Sequence, residues 1–170
     1  MKRITVISGG QTGVDRAALL AAEACGLACG GWCPPGRASD DGAIPARYPL
    51  RETPAERSPR APEVPRSLRT EWNVRDADAT LILRPALAPD PGSDWTAACA
   101  ARLGRPCLEQ DPGSPDAART VGAWLERRLP RTLNVAGPSE GRCPGIEAQA
   151  LALLTAVFSE PAAGDGERSR

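Results

Sequence analysis

Gly9, Gly10, Gln11, Thr12 and Gly13 interrupt the stretch VISGGQTGVDRAALLAA, between a β-branched apolar run and an alanine-rich one. Glycines at a strand-to-helix turn let the backbone approach a ligand closely. The first turn of a helix leaves its N–H groups unpaired and carries about half a positive charge. The chemistry this predicts is capture of phosphate or another anion on backbone N–H groups, with no lysine in the loop. The spacing is not that of a P-loop, because both the GxxxxGK[ST] pattern and its lysine are missing, which argues against ATP hydrolysis of that kind. It is not G-x-G-x-x-G either. The second predicted strand ends in Cys33-Pro34-Pro35, with no acid placed for a ribose hydroxyl, so an ordinary NAD dehydrogenase is set aside.

Other residues could join this loop. Asp15 and Arg16 either contact a ligand or cap the helix and form a surface pair. Gly36, Arg37, Asp40 and Asp41, in PPGRASDDG, line a crevice rim or make a solvated turn. Glu71, Trp72, Asn73, Arg75 and Asp76 are dense in hydrogen-bonding types. Trp32 or Trp72 could stack on a planar ring, or be core. Asn134 lies in an apolar strand, where its amide needs partners, either as a strut between loops or on the ligand.

Composition narrows the chemistry. The 170 residues include no histidine, and the formal net charge is zero. Ser-His-Asp triads, Cys-His dyads and histidine-ligated zinc are therefore excluded, and acid–base work would fall to Asp, Glu, Cys, Tyr, water or the substrate. No bulk attraction to nucleic acid or an anionic membrane is implied. Lys2 is the only lysine; arginine supplies the remaining basic residues and suits fork-like recognition of phosphate or carboxylate. Cys25, Cys29, Cys33, Cys99, Cys107 and Cys143 form no CxxC pair and read as buried thiols of a reduced, cytoplasmic protein, with no metal site. The first residues do not form a signal peptide, and no apolar run reaches the length of a membrane span.

The elements that must position these residues follow from periodicity. Residues 3–8, 27–33, 79–84, 106–110 and 131–137 read as short apolar strands. Helical spacing predicts helices from Val14 to a stop at Gly26, over 96–104, over 115–129 through Ala118, Val121, Trp124, Leu125 and Leu129, and over 145–158 through Ile146, Ala150, Leu151, Leu154 and Phe158. Residues 69–78 read as a short helix or turn. Thr12 is the expected N-cap of the first helix, with Asp15 completing a variant capping box. Eight prolines between 34 and 68 predict one long loop, with the order of 51–68 open. Residues 1–158 form the expected domain and 159–170 a frayed tail. Alternating strands and helices predict an α/β, Rossmann-like three-layer fold: a mostly parallel sheet of about five or more strands with helices on both faces. Ligands of such sheets sit beyond the carboxyl ends of the strands, where the glycine-bearing loops at 8–15, 89–96 and 136–145 would bring three helix N-termini together.

Five segments together, ISGGQTGVDRAAL, GGWCPPGR, DDGAIPARYPL, RTEWNVRDADATLIL and LNVAGPSE…PGI, resemble the molybdenum cofactor carrier family, a circularly permuted YpsA-like branch of the SLOG Rossmann superfamily. The resemblance covers nearly all of residues 4–158. It implies a Rossmann-like fold and a phosphate-bearing ligand, with molybdenum cofactor as the candidate cargo. By position it assigns residues 9–13 to a phosphate loop. Gly92, Ser93 and Thr96 match a Gly-Thr-x-x-Thr-like loop with serine for its first threonine, and Gly137 and Glu140 match an NVAGP-x-E segment. It also implies a homo-oligomer, dimer or tetramer, that passes cargo to molybdoenzymes. The PGGxGT run and following glutamate of the related lonely-guy phosphoribohydrolases are absent from the nearest stretch, PGSDWTAACA. The leading expectation is a cytoplasmic carrier or storage protein. The alternatives are a nucleotide sensor signalling through its oligomer interface and a nucleotide or phosphoester hydrolase, the latter with water activated by Asp15, Asp76 or Glu140.

Overall fold

A computed structural model describes residues 4–86 and 89–159. Strand β1 (Thr5–Ile7) leads through the glycine turn into helix α1 (Val14–Ala24), and β2 (Ala28–Cys33) follows. A 3-10 turn (Pro35–Arg37), a small hairpin of β3 (Ala38–Ser39) and β4 (Gly42–Ala43), and β5 (Leu50–Glu52) come next. Then come α2 (Ser67–Asp76), β6 (Ala79–Leu83), α3 (Pro91–Arg102), β7 (Cys107–Gln110), α4 (Ala117–Arg128), β8 (Thr132–Ala136) and α5 (Ile146–Ser159).

Six strands form one sheet in the order β5-β2-β1-β8-β6-β7, and every neighbouring pair is parallel. This is the three-layer α/β fold that the pattern predicts. The chain steps one way from β1 to β2 and the opposite way from β6 to β7, so right-handed crossovers place α1 and α3 on opposite faces. By the same rule α4 joins the α1 face and α2 the α3 face. The contacts agree: α5 and α1 pack closely, α4 packs on α5, and α2 packs on α3. The main core lies under α1, α4 and α5, where Val14, Ala18, Ala22, Val121, Trp124, Ile146 and Leu154 close over Val6, Leu81, Leu133 and Val135.

Several boundaries differ from expectation. Residues 34–68 are not one loop: β5 adds a sixth strand on β2, pairing Leu50 with Gly31. It is an edge strand, where the nearby prolines at 49 and 54 cost no ladder bond. Ile44, Tyr48 and Leu50 pack with Leu19 and Cys33 into a second small core, which anchors the segment. Helix α3 starts at 91 rather than 96, because Pro91 sits at the first helical position, where no N–H is needed, and the Asp90 side chain accepts from Ser93 N. The N-cap of α1 is Gly13, with no side-chain cap, so Thr12 does not fill that role. Leu129 is exposed, because it ends α4 in the left-handed region (φ 47°) and turns off the apolar face. Of the six cysteines, all free, only Cys33 and Cys99 are buried, and Cys107 is exposed on an edge strand. Ser159 closes α5; the rest of the expected tail, 160–170, lies outside the described residues, as does Arg3 of the first predicted strand. Among the described residues no helix is long and apolar enough to cross a membrane.

Candidate functional site

The direction of the chain reverses between β1 and β6, with β8 between them. Beyond the carboxyl ends of these strands lies a crevice of about 300 Å³. Gln11 comes from the loop after β1, Asp90, Pro91 and Gly92 from the N-cap and first turn of α3, and Gly137, Ser139 and Arg142 from the loop after β8. A fourth wall has no counterpart in the sequence pattern: Val64, Pro65, Arg66 and Arg69 bring in the start of α2, and Asp40 and Glu56 complete the rim.

The floor of this crevice is a buried polar cluster. Asp15 is almost fully buried beneath the glycine loop, and its Oδ2 accepts from Arg69 Nη1 at 2.9 Å and from Gln11 N at 3.4 Å. Gly9 is required there, because a Cβ would run into the Arg69 guanidinium and the Asp15 carboxylate. Burial raises the pKa of Asp15, and the positive charge of Arg69 only partly opposes this. Three buried atoms of the cluster have no partner among the described residues: Gln11 Oε1, Asp15 Oδ1 and Arg69 Nε. Buried polar atoms in folded proteins are nearly always bonded, to protein or to ordered water; Gln11 and Arg69 line the crevice, and Asp15 lies beneath it.

The N–H groups expected to seat an anion are largely engaged within the chain. Gly10 N donates to Ser8 Oγ at 3.3 Å, and Gly13 N to Glu147 Oε2 at 3.0 Å. The positive end of α1 is thus already met by Glu147 and Asp15. Directed cationic donors come instead from arginine. Arg66 pairs with Asp40 at 2.8 Å, Arg69 with Asp15 at 2.9 Å and Arg142 with Asp90 at 3.3 Å. A guanidinium has five N–H donors, more than one carboxylate can use.

Residues 6–158 match the circularly permutated YpsA SLOG family. The chain belongs to that family. The crystal structure of a proposed molybdenum carrier protein from Syntrophus aciditrophicus is similar to it at 37% identity and a TM-score of 0.81, covering 91% of this chain and 95% of that one. No curated protein matches the chain.

In this member of the SLOG family, several candidates from the sequence lie outside the crevice lining or serve the scaffold. Arg16 donates to Gly10 O at 3.2 Å and pairs with Asp41, so it braces the glycine loop from outside. Arg37, at φ 54°, spends its guanidinium on the carbonyls of Ile44, Pro45, Tyr48 and Leu50. Its neighbour Gly36 donates to Glu52. Asn73 is a strut: Trp32 N donates to its Oδ1 at 2.8 Å, and its Nδ2 donates to Trp32 O at 2.9 Å. Trp72 meets Trp32 edge-on at 4.7 Å, and Arg75 lies over Trp72. Arg75 hydrogen bonds, then Trp32 Nε1, hold the Asp76 carboxyl below the usual range, and these residues are not part of the crevice lining. Glu140 caps α5, accepting from Gly145 N and from Glu147 N at 3.0 Å. Asn134 Nδ2 reaches Thr80 Oγ1 across the sheet at 3.4 Å.

Gln11, Gly92 and Gly137 do line the crevice, and Gly9, Gly10, Thr12 and Gly13 form the loop that carries Gln11. Ser93 donates to Asp90 Oδ2 and Thr96 to Gly92 O at 2.8 Å, so both fasten the first turn of α3, which carries Gly92. Arg66, Arg69, Arg142 and Asp90 acquire their place only in the structure, whereas Asp40 stands on the crevice rim, one of the two readings its sequence allows. One signal points to two of them. Arg66 and Arg69 sit at the start of α2, which has no acid in its first turn. Positive charge at a helix N-terminus opposes the helix dipole. Arg66 also adopts φ 57°, a conformation that costs energy away from glycine.

Proposed function

We propose that this chain binds a small phosphate-bearing ligand in the crevice beyond β1, β8 and β6, and carries it rather than converting it. The observation that supports this reading is the convergence of Arg66, Arg69 and Arg142 there, each oriented by one carboxylate and with donors to spare. The lining also holds Asp40, Glu56 and Asp90, so the attraction comes from directed donors rather than from net positive charge. Molybdenum cofactor is the named candidate, because it joins a phosphate to a pterin and because the similar Syntrophus protein is a proposed molybdenum carrier. The crevice is at the lower end of ligand pockets, about 300–1,000 Å³. A second cavity of about 440 Å³, lined by Arg84, Pro85, Pro89 and Gln110 among others, adjoins the loop before α3 and offers room for a ring system. A carrier role also fits the carboxylates first considered for hydrolysis. Asp15 is tied to Arg69, Asp76 is not part of the crevice lining, and Glu140 is a helix cap. The same reading places the protein in the cytoplasm, as a homo-oligomer that hands its cargo to molybdoenzymes.

The test is anaerobic titration with molybdenum cofactor and, separately, with AMP, in the original chain and in Arg66→Gln/Arg142→Gln. Loss of charge-assisted hydrogen bonds predicts about 10- to 100-fold weaker binding in the double variant. Ligand recovered after incubation should be intact. Unchanged affinity in a folded double variant overturns the crevice assignment, and release of a base or of orthophosphate replaces carriage with hydrolysis.

A further inference from the structure

We infer that Glu71 is a positioning residue for the crevice: its carboxylate fixes residues 53–66, the strap that supplies one wall, and so sets where Arg66 presents its guanidinium. This rests on the crevice reading above and adds the means by which that wall is held. No helix or strand forms between Glu52 and Ser67, yet Glu56, Val64, Pro65 and Arg66 line the crevice. Backbone outside a helix or sheet has no ladder of its own, so its hydrogen bonds must come from elsewhere. Within residues 53–66 only Thr53, Ser58 and Ala61 are buried, so apolar packing holds the strap at few points.

The anchor is a polar seam along α2. Ser67 and Glu71 are four residues apart and so share one side of that helix. Ser67 Oγ accepts from Ser58 N at 2.8 Å and donates to Ala61 O at 2.9 Å. Glu71 is buried; its Oε2 accepts from the Ser58 hydroxyl, and its Oε1 from Arg60 Nη1 at 2.9 Å. Arg102, in the last turn of α3, shares Oε1 at 3.2 Å. A carboxylate only accepts, and this one meets three donors from two elements. Charge-assisted bonds are roughly twice as strong as neutral ones, so Glu71 is the strongest fastening of the seam. The strap runs directly into Arg66, which caps α2 at φ 57°. A shift of the strap is therefore a shift of Arg66, whereas Arg69 is held separately by its pair with Asp15.

Because the partners of Glu71 divide between the strap and α3, positioning can be separated from stability. Phosphorus NMR titration with inorganic phosphate at neutral pH reads binding, urea unfolding reads stability, and amide hydrogen exchange reads the strap. Glu71→Gln should bind phosphate about tenfold more weakly, since small misplacements of a binding group are costly. Arg60 is 60% exposed, so Arg60→Gln should fold even if Glu71→Gln does not. It should bind phosphate about threefold more weakly, in line with the loss of a partly exposed ion pair, and exchange faster across 55–64. Arg60→Lys should recover most of that affinity. Arg102→Gln removes the other arginine from the same oxygen and should cost similar stability, yet leave phosphate affinity and strap exchange unchanged. Unchanged affinity in Arg60→Gln, or an equal loss of affinity in Arg102→Gln, overturns the role of Glu71 and leaves the crevice standing. Failure of the original chain to bind inorganic phosphate overturns the crevice reading and this inference with it.

Discussion

Arg69→Leu is expected to destabilise the protein by about 3–5 kcal/mol at neutral pH, the range for breaking a buried ion pair by removing one partner. The reason is Asp15, which is buried beneath the glycine loop and, among the described residues, has Arg69 as its one ionic partner. Burial already raises the folded pKa of Asp15 above its ordinary value of 3.8, against the lowering effect of Arg69. The folded state therefore keeps this proton to a higher pH than the unfolded chain does. The stability Asp15 contributes is complete below the unfolded pKa and declines as pH rises through the folded one. Removing Arg69 takes away the largest lowering influence, so the folded pKa rises further and the decline becomes deeper. The deficit of the variant should thus be smallest in acid and grow toward neutrality. Asp15→Asn/Arg69→Leu should recover most of the loss at pH 7. Urea unfolding at several pH values measures both effects. A deficit independent of pH would mean that Arg69 acts through packing of its stem and not through its charge.

Gly13→Ala carries the second large effect. Gly13 has φ 83° and ψ −133°, a region that residues with a Cβ rarely occupy, and it lies where the loop after β1 crosses the loop after β8. A Cβ would meet Glu140 N at 2.7 Å and the Ser139 carbonyl carbon at 2.8 Å, besides Pro138 O. Backbone, unlike the end of a flexible side chain, cannot easily move aside. Strain and overpacking together predict a loss of about 2–6 kcal/mol. Gly26, at the end of α1, is the control: its φ is 66°, but a methyl group placed there would have no atom within 4 Å. Gly26→Ala should lose only about 1–2 kcal/mol. Equal losses in the two variants would contradict the crossing as the reason for glycine at 13. The crossing also bears on the proposed site, since the two loops that meet there carry Gln11, Gly137 and Ser139 of the crevice lining.

The fold is legible where burial leaves an unmixed pattern. Strand β6, buried along its whole length, and β8 read clearly as apolar runs. Strand β5 does not, because only Leu50 of its three residues is buried, so it has no alternation to detect. Pro91 looks like a breaker, yet at the first position of α3 it starts a helix as readily as it ends one. The site divides in the same way. Gln11 is legible because glycines surround it in sequence. Arg69 is not, because its partner Asp15 is 54 residues away and only the parallel sheet brings α2 over the end of β1. Arg37 and Asn73 show the converse. Their types suit ligand binding, but backbone carbonyls and a neighbouring strand satisfy them. Residue type alone cannot separate a strut from a ligand contact when both need the same hydrogen-bonding groups.

The crevice is proposed to hold a phosphate-bearing small molecule, and native mass spectrometry of the protein, purified gently and without oxygen from its own host, tests this most directly. The expected spectrum shows an added mass of one phosphate-bearing ligand per chain, matching molybdopterin or its metal complex for the named candidate. That mass should be absent from Arg66→Gln/Arg142→Gln prepared in the same way. A chain that stays bare, and gains no mass when offered molybdenum cofactor or AMP, would contradict the proposal and leave the glycine loops as turns alone.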